Sequence, residues 1–312
     1  MKKIVSFLLV IGLALVLAAC GSKEEGSSNG SDANSGSKEE IPETLVLGFV
    51  PSVDSDTIAD TVEPLAERLS EELGIKVEGK VMTSFNALVE AMGANQVQVG
   101  FVPAFGYVQA NEQYGVEVIL KSERYGSGTY KAQYLVRSDS GIKDLADLEG
   151  KIWAYPDQGS TSGYLFPANQ LMEEFDIAST TELETEFFSG TTQAGGHDNA
   201  AIAVYEGDAD VATTFEDVRE DLLEEYPDIM EKLTVIGYTQ DIPNDTISVT
   251  KNLPDEFVQK IKDTFLSFND DPAMIKIMND VYNWDAITEA TDSEYQVVKD
   301  TYNKFKDSIS IE

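Results

Sequence analysis

The chain has 312 residues, 56 Asp and Glu against 22 Lys and Arg, and a formal net charge of −34 at pH 7. So acidic a surface argues against nucleic acid and anionic lipid as partners, and any anionic ligand must be held by local dipoles and hydrogen bonds in a closed cleft. Cys20 is the only cysteine and His197 the only histidine, so no disulfide, metal site or cofactor is expected.

In chain order, residues 1–19 read as a signal peptide. Lys2 and Lys3 precede an apolar run over 4–15, and Leu17-Ala18-Ala19-Cys20 closes it. The run is too short and wrongly flanked for a stable membrane span. The closing motif resembles the lipobox of bacterial lipoproteins; an ordinary signal peptide with an incidental Cys20 is the plainer alternative. The resemblance implies cleavage before Cys20 and lipid on its thiol. Two acyl chains would hold the protein on the outer face of the cell membrane. Residues 20–40 then form a lipidated Cys and a tether, with no apolar side chain larger than Ala after Cys20.

The folded part begins near residue 41. A strand is expected over 44–50. Ile58, Val62, Leu65, Leu69 and Leu73 mark one face of a helix ended by Gly74. Residues 76–81 read as a strand, Ser84 caps a helix through Met92, and 97–102 is a strand. Further on, strands are expected over 133–137, 151–155, 184–188, 211–213 and 246–249. Helices are expected over 162–175, 197–205, 254–268, 272–282 and 294–308. Pro167 lies inside the first of these, so that helix begins late or kinks. Strands alternating with helices indicate parallel βαβ units. The layout suggests two α/β lobes: 41–135 plus 245–312, and 136–244. Hinge crossings fall near 135–137 and 238–244, and a ligand cleft lies between the lobes.

Two donor-rich helix starts stand out in the second lobe. Gly159-Ser160-Thr161-Ser162-Gly163 sets three hydroxyls between a strand and a helix, and His197 follows Gly195-Gly196 at another helix start. Free N–H groups, the helix dipole and hydroxyl donors together make a socket for a tetrahedral oxyanion. The plain alternative is an N-cap, for which Ser and Thr are favoured in any case.

The run Asp147-Leu148-Glu149-Gly150-Lys151, the hydroxyl stretch continuing Tyr164-Leu165-Phe166-Pro167, Gly196-His197-Asp198-Asn199-Ala200, Asp208 to Thr213 and Ile242-Pro243-Asn244-Asp245 together resemble the periplasmic phosphate/phosphite/phosphonate-binding proteins of ABC transporters. The similarity covers roughly 44–266. It implies an α/β, two-lobed type II periplasmic-binding fold with a central cleft. It also implies a monomeric receptor rather than an enzyme, which captures a phosphonate, phosphite or phosphate and delivers it to an ABC permease and its ATPase.

Carried over by that resemblance, Ser160, Thr161, Ser162 and His197 hold the phosphorus-bound oxygens and Asp245 faces the same group. A carboxylate there suits a ligand that keeps one P–OH, and would reject sulfate. Asp217, with Glu216 beside it, matches the acid that reads an amino group in aminophosphonate binders. Phe85 stands where a tyrosine is expected and Val102 replaces another aromatic, so Phe85 and Tyr107 are expected to shape the apolar wall. The rival reading is a surface-anchored phosphoester hydrolase using Ser160 or Ser162 with His197. The nucleophile-elbow pattern would require serine where Thr161 stands.

Overall fold

The computed structural model describes residues 40–306. The expected signal segment, Cys20 and all but the last residue of the tether lie outside the described residues.

In chain order the strands are β1 (Thr44–Phe49), β2 (Lys76–Val81), β3 (Val99–Val102), β4 (Glu117–Glu123), β5 (Thr129–Tyr130), β6 (Ala132–Arg137), β7 (Ile152–Tyr155), β8 (Gly190–Gln193), β9 (Val211–Phe215), β10 (Leu233–Tyr238), β11 (Ile242–Pro243), β12 (Thr246–Val249) and β13 (Ala286–Glu289). They form a six-stranded sheet, β13-β4-β12-β3-β1-β2, and a five-stranded sheet, β10-β6-β9-β7-β8. A two-stranded ladder of β5 and β11 accompanies them. In the first sheet β1 runs parallel to β2 and β3, while β12 enters antiparallel between β3 and β4. The first lobe is thus completed only after the chain has built the second.

The apolar periodicity of the first helix is realised in Ser55–Leu73, whose Ile58, Val62, Leu65, Leu69 and Leu73 are all buried. Ser84 caps the next helix, Phe85–Gly93, by accepting the Ala87 N–H. Phe49 and Phe101 stack at 4.4 Å in the core beneath the first sheet, with Trp284 tilted 5.5 Å from Phe101. In the second lobe Trp153 stacks on Tyr164 at 5.4 Å and on Phe188 at 5.0 Å.

Two expectations shift. The strand expected over 184–188 is a wide helical turn, Leu183–Phe187, and the sheet edge is the polar Gly190–Gln193 instead. The first crossing expected near 135–137 falls inside β6, which pairs along its length with β9 and β10. The passage between the sheets lies upstream, over 124–131. There a tight turn places Tyr125 and Gly126 at positive φ (52° and 72°), a conformation glycine adopts at no steric cost. The return passage, over 239–245, carries β11.

Candidate ligand-binding site

The loop after β7 is built by its own polar groups. The Asp157 carboxylate accepts the Gly159 N–H at 2.7 Å, and burial pushes that carboxyl up. The Ser160 backbone is extended, and its Oγ accepts the Gly163 N–H at 3.0 Å. Residues Thr161–Leu165 then make one π-helical turn before the α-helix Phe166–Glu174, with Pro167 in its first turn. Pro167 therefore starts a helix rather than breaking one. The turn is anchored to the sheet: Thr213 Oγ1 donates to the Gly163 carbonyl at 2.5 Å and receives the Trp153 indole N–H at 2.8 Å.

His197 opens the helix His197–Glu206. Its backbone N–H donates to the Ser52 carbonyl of the other lobe at 2.8 Å. Its Nδ1 accepts the Phe215 N–H at 3.2 Å, and its Nε2 lies 3.2 Å from Ser160 Oγ. A ring nitrogen that accepts a backbone N–H is unprotonated, so the proton sits on Nε2 and points at Ser160. Burial, reinforced by the positive charge of Arg124, lowers the His197 pKa to about 3. The imidazole is therefore neutral at physiological pH. Ser160 Oγ already receives two N–H donors, which fill its acceptor capacity and leave its own O–H to donate elsewhere.

That polarity bears on the hydrolase alternative. A general base must take the serine proton, but Nε2 carries a proton of its own and cannot act on Ser160.

Ser160, Ser162, His197, Phe85 and Asp245 all line one cleft of about 920 Å³ between the lobes. Ser162 lies against the Tyr130 hydroxyl. Asp245 enters from the segment joining β11 to β12. Its carboxyl is pushed up by burial, with Arg124 partly offsetting that rise. The lobes meet closely around the cleft. The Asp157 carboxylate accepts the Phe85 N–H, and Asn283 Nδ2 donates to Asp221 at 3.1 and 3.2 Å.

Three expected site residues are placed elsewhere. Thr161 is fully buried and its Oγ1 accepts the Phe105 N–H at 2.9 Å, so it joins the lobes rather than lining the cleft. The π turn rotates it away from its two serine neighbours. Tyr107 is a core residue: its ring packs 5.0 Å from Tyr295 and its hydroxyl donates to Asp292 at 2.7 Å. Asp217 adopts a left-handed conformation at the start of the short helix Val218–Asp221. It is Asp221, one turn on, that lines the cleft. Sequence reasoning missed Arg124 and Asp157. The Tyr-Gly pair at 125–126 signals a turn, but nothing in the sequence aims the preceding arginine at the cleft.

Two α/β lobes around a polar cleft, with the chain crossing between them twice, define a periplasmic-binding-protein fold. The family model described as "ABC transporter, phosphonate, periplasmic substrate-binding protein" matches residues 47–295, and the chain belongs to that family. It is 29% identical over 255 residues to the "Phosphate-import protein PhnD" of Mycolicibacterium smegmatis, covering 80% of this chain and 79% of that protein. It is 26% identical over 239 residues to the "Phosphonates-binding periplasmic protein" of Escherichia coli, covering 75% and 69%. Among solved structures, a binding-protein component of an ABC phosphonate transporter from Pseudomonas aeruginosa superposes with a TM-score of 0.74 at 21% identity, over 83% of this chain and 85% of that one. PhnD1 from Prochlorococcus marinus, in complex with methylphosphonate, gives 0.74 at 18% identity, over 86% and 100%. The protein is a substrate-binding component of an ABC transport system and not an enzyme.

Proposed function

We propose that the protein captures a partly protonated phosphorus oxyanion, a phosphonate, phosphite or phosphate, in the interlobe cleft and delivers it to an ABC permease. Ser160 and Ser162 donate to the ionised oxygens, and His197 holds Ser160 in the donating orientation. Asp245 accepts from the ligand's P–OH, and Phe85 supplies the apolar wall. The observation that carries this reading is the hydrogen-bond polarity at Ser160. Its Oγ receives the Gly163 N–H and faces His197 Nε2 at 3.2 Å, so its one remaining function is to donate into the cleft. The names of the relatives in M. smegmatis and E. coli support phosphate and phosphonate respectively. Thr161 acts through closure, by accepting Phe105 N–H from the opposite lobe. The passages over 124–131 and 239–245 serve as the hinge. We further propose that Cys20 carries a lipid anchor, which labelling with a palmitate analogue would detect in the wild type and not in Cys20→Ser.

The reading is tested by a thermal-shift and calorimetric panel of phosphite, methylphosphonate, aminoethylphosphonate, phosphate and sulfate. A ligand that binds the folded state raises Tm by an amount set by its concentration relative to Kd. At least one phosphorus oxyanion is expected to do so while sulfate does not. Ser160→Ala should weaken that binding at least tenfold, and unchanged affinity would overturn the role given to Ser160.

A further inference from the structure

Arg124 ends the strand β4 passage and opens the tight turn to Ser127, with backbone hydrogen bonds of 2.9 and 3.0 Å closing the turn in both directions. It is 7% exposed. Its guanidinium carbon sits 4.8 Å from the centroid of the Phe215 ring and 5.7 Å from that of Tyr130. The His197 ring lies 4.8 Å from the same Phe215 ring. One aromatic side chain therefore carries both the imidazole and the guanidinium at the wall of the cleft, and Arg124 lines that cleft with Ser160, Ser162 and Asp245.

Apart from the faces of Phe215 and Tyr130, this buried cation has no ion-pair partner among the described residues. Arg124 Nε makes no hydrogen bond, and among the described residues no carboxylate lies within ion-pairing distance of the guanidinium. A charge withdrawn from water without a counter-charge is costly. Lysine or histidine escapes that cost by shedding a proton, but arginine does not. Asp245 and Asp221 both feel its field, yet neither closes on it. The flat fork of N–H donors matches two oxygens on one phosphorus atom.

We infer that Arg124 is a ligand-binding residue, supplying the counter-charge to an ionised P–O⁻ while Asp245 takes the P–OH of the same group. The inference rests on the proposed function and extends it. It defines the ligand class as a phosphorus oxoacid that presents at least one ionised and one protonated oxygen side by side. A sulfonate or a phosphodiester offers the first without the second. The alternative is that Arg124 only screens Asp245.

A double-mutant cycle separates the two. Calorimetry would compare wild type, Arg124→Gln, Asp245→Asn and the double variant with phosphite, methylphosphonate and inorganic phosphate, at low and moderate salt. If Arg124 touches the ligand, Arg124→Gln weakens binding at least tenfold in the wild-type background and again in the Asp245→Asn background, and the salt dependence of binding falls. Arg124→Lys, which keeps the charge and loses the fork, lies between. Binding by Arg124→Gln within twofold of wild type overturns the inference, and so does a loss that vanishes once Asp245 is Asn. If wild type binds none of the three anions, the underlying reading of the cleft fails instead.

Discussion

Gly159→Ala tests whether the closed arrangement of the lobes is the ligand-binding one. A Cβ at residue 159 would lie 2.7 Å from Phe85 Cβ and 3.1 Å from both Asn86 Oδ1 and Asp157 Oδ1. Phe85 and Asn86 begin a first-lobe helix, so two of these contacts cross between lobes. Neither Cβ can swing aside, because each is fixed to its backbone. Carbon pairs rest at about 3.5–4.0 Å, so the lobes must part by roughly 1 Å there. Overpacking of this kind costs about 1–3 kcal/mol. The cost falls on the closed state alone and appears as lost affinity, roughly 5- to 150-fold in Kd. The ligand-free Tm should move far less, since an open molecule accommodates the methyl. Calorimetry with whichever oxyanion binds wild type gives the first quantity, and small-angle scattering with and without ligand shows whether compaction is reduced. An alanine variant with the wild-type Kd would refute the reasoning.

Three further outcomes follow from the site. Asp245→Asn replaces the proposed acceptor for P–OH by an amide; hydrogen bonds to charged groups are worth about 1.5–3 kcal/mol. Affinity for the phosphorus ligand should fall roughly 10- to 150-fold, and discrimination against sulfate should narrow in the same calorimetric panel. Tyr107→Phe removes the hydroxyl that bonds Asp292 and the Val118 backbone, away from the cleft. It should cost about 0.5–1.5 kcal/mol of stability and leave Kd unchanged; a weakened Kd would return Tyr107 to the cleft. For His197 the sign is set by its lowered pKa, about 3 in the fold against about 6.5 in an unfolded chain. The unfolded chain takes up a proton that the fold refuses, so this contribution is complete above pH 6.5 and is lost as pH falls towards 3. Asp157, Asp198, Asp221 and Asp245, whose pKa values burial raises, act in the opposite sense. Comparison with His197→Gln isolates the histidine: the Tm of wild type minus that of the variant should decline between pH 7 and pH 4. Parallel curves would contradict it.

The residues that could be read from the sequence are those whose signal is local. The spacing of Ile58, Val62, Leu65 and Leu69 reports a helix face, and the Ser84 cap reports a helix start. The hydroxyl run at 160–162 marks a strand-to-helix junction. What stayed hidden depends on three-dimensional placement. The helix Ala104–Tyr114 is buried along its first seven residues, so its apolar residues show no one-sided rhythm. Ser160, Thr161 and Ser162 look alike in sequence, yet the π turn directs the serines to the cleft and the threonine to the opposite lobe. Tyr107 sits two residues after Phe105, whose N–H meets Thr161, yet its own ring packs on Tyr295 in the core. Arg124 is one of 22 basic residues, and only the turn at Tyr125-Gly126 carries it over Phe215. The strand β6 is legible in the sequence, but its assignment to one lobe or the other depends on its partners, β9 and β10.

The most direct test of the whole account is the affinity of the folded chain for phosphite, methylphosphonate and phosphate against sulfate, measured across pH 5 to 8. Binding should require a ligand that retains one P–OH, should weaken as that proton is lost at high pH, and should be negligible for sulfate. Because His197 is already neutral throughout this range, its own titration should leave no inflection. Sulfate bound as tightly as the phosphorus anions, or affinity that rises as the last P–OH ionises, would contradict the pairing of Ser160 and Ser162 as donors with Asp245 as acceptor.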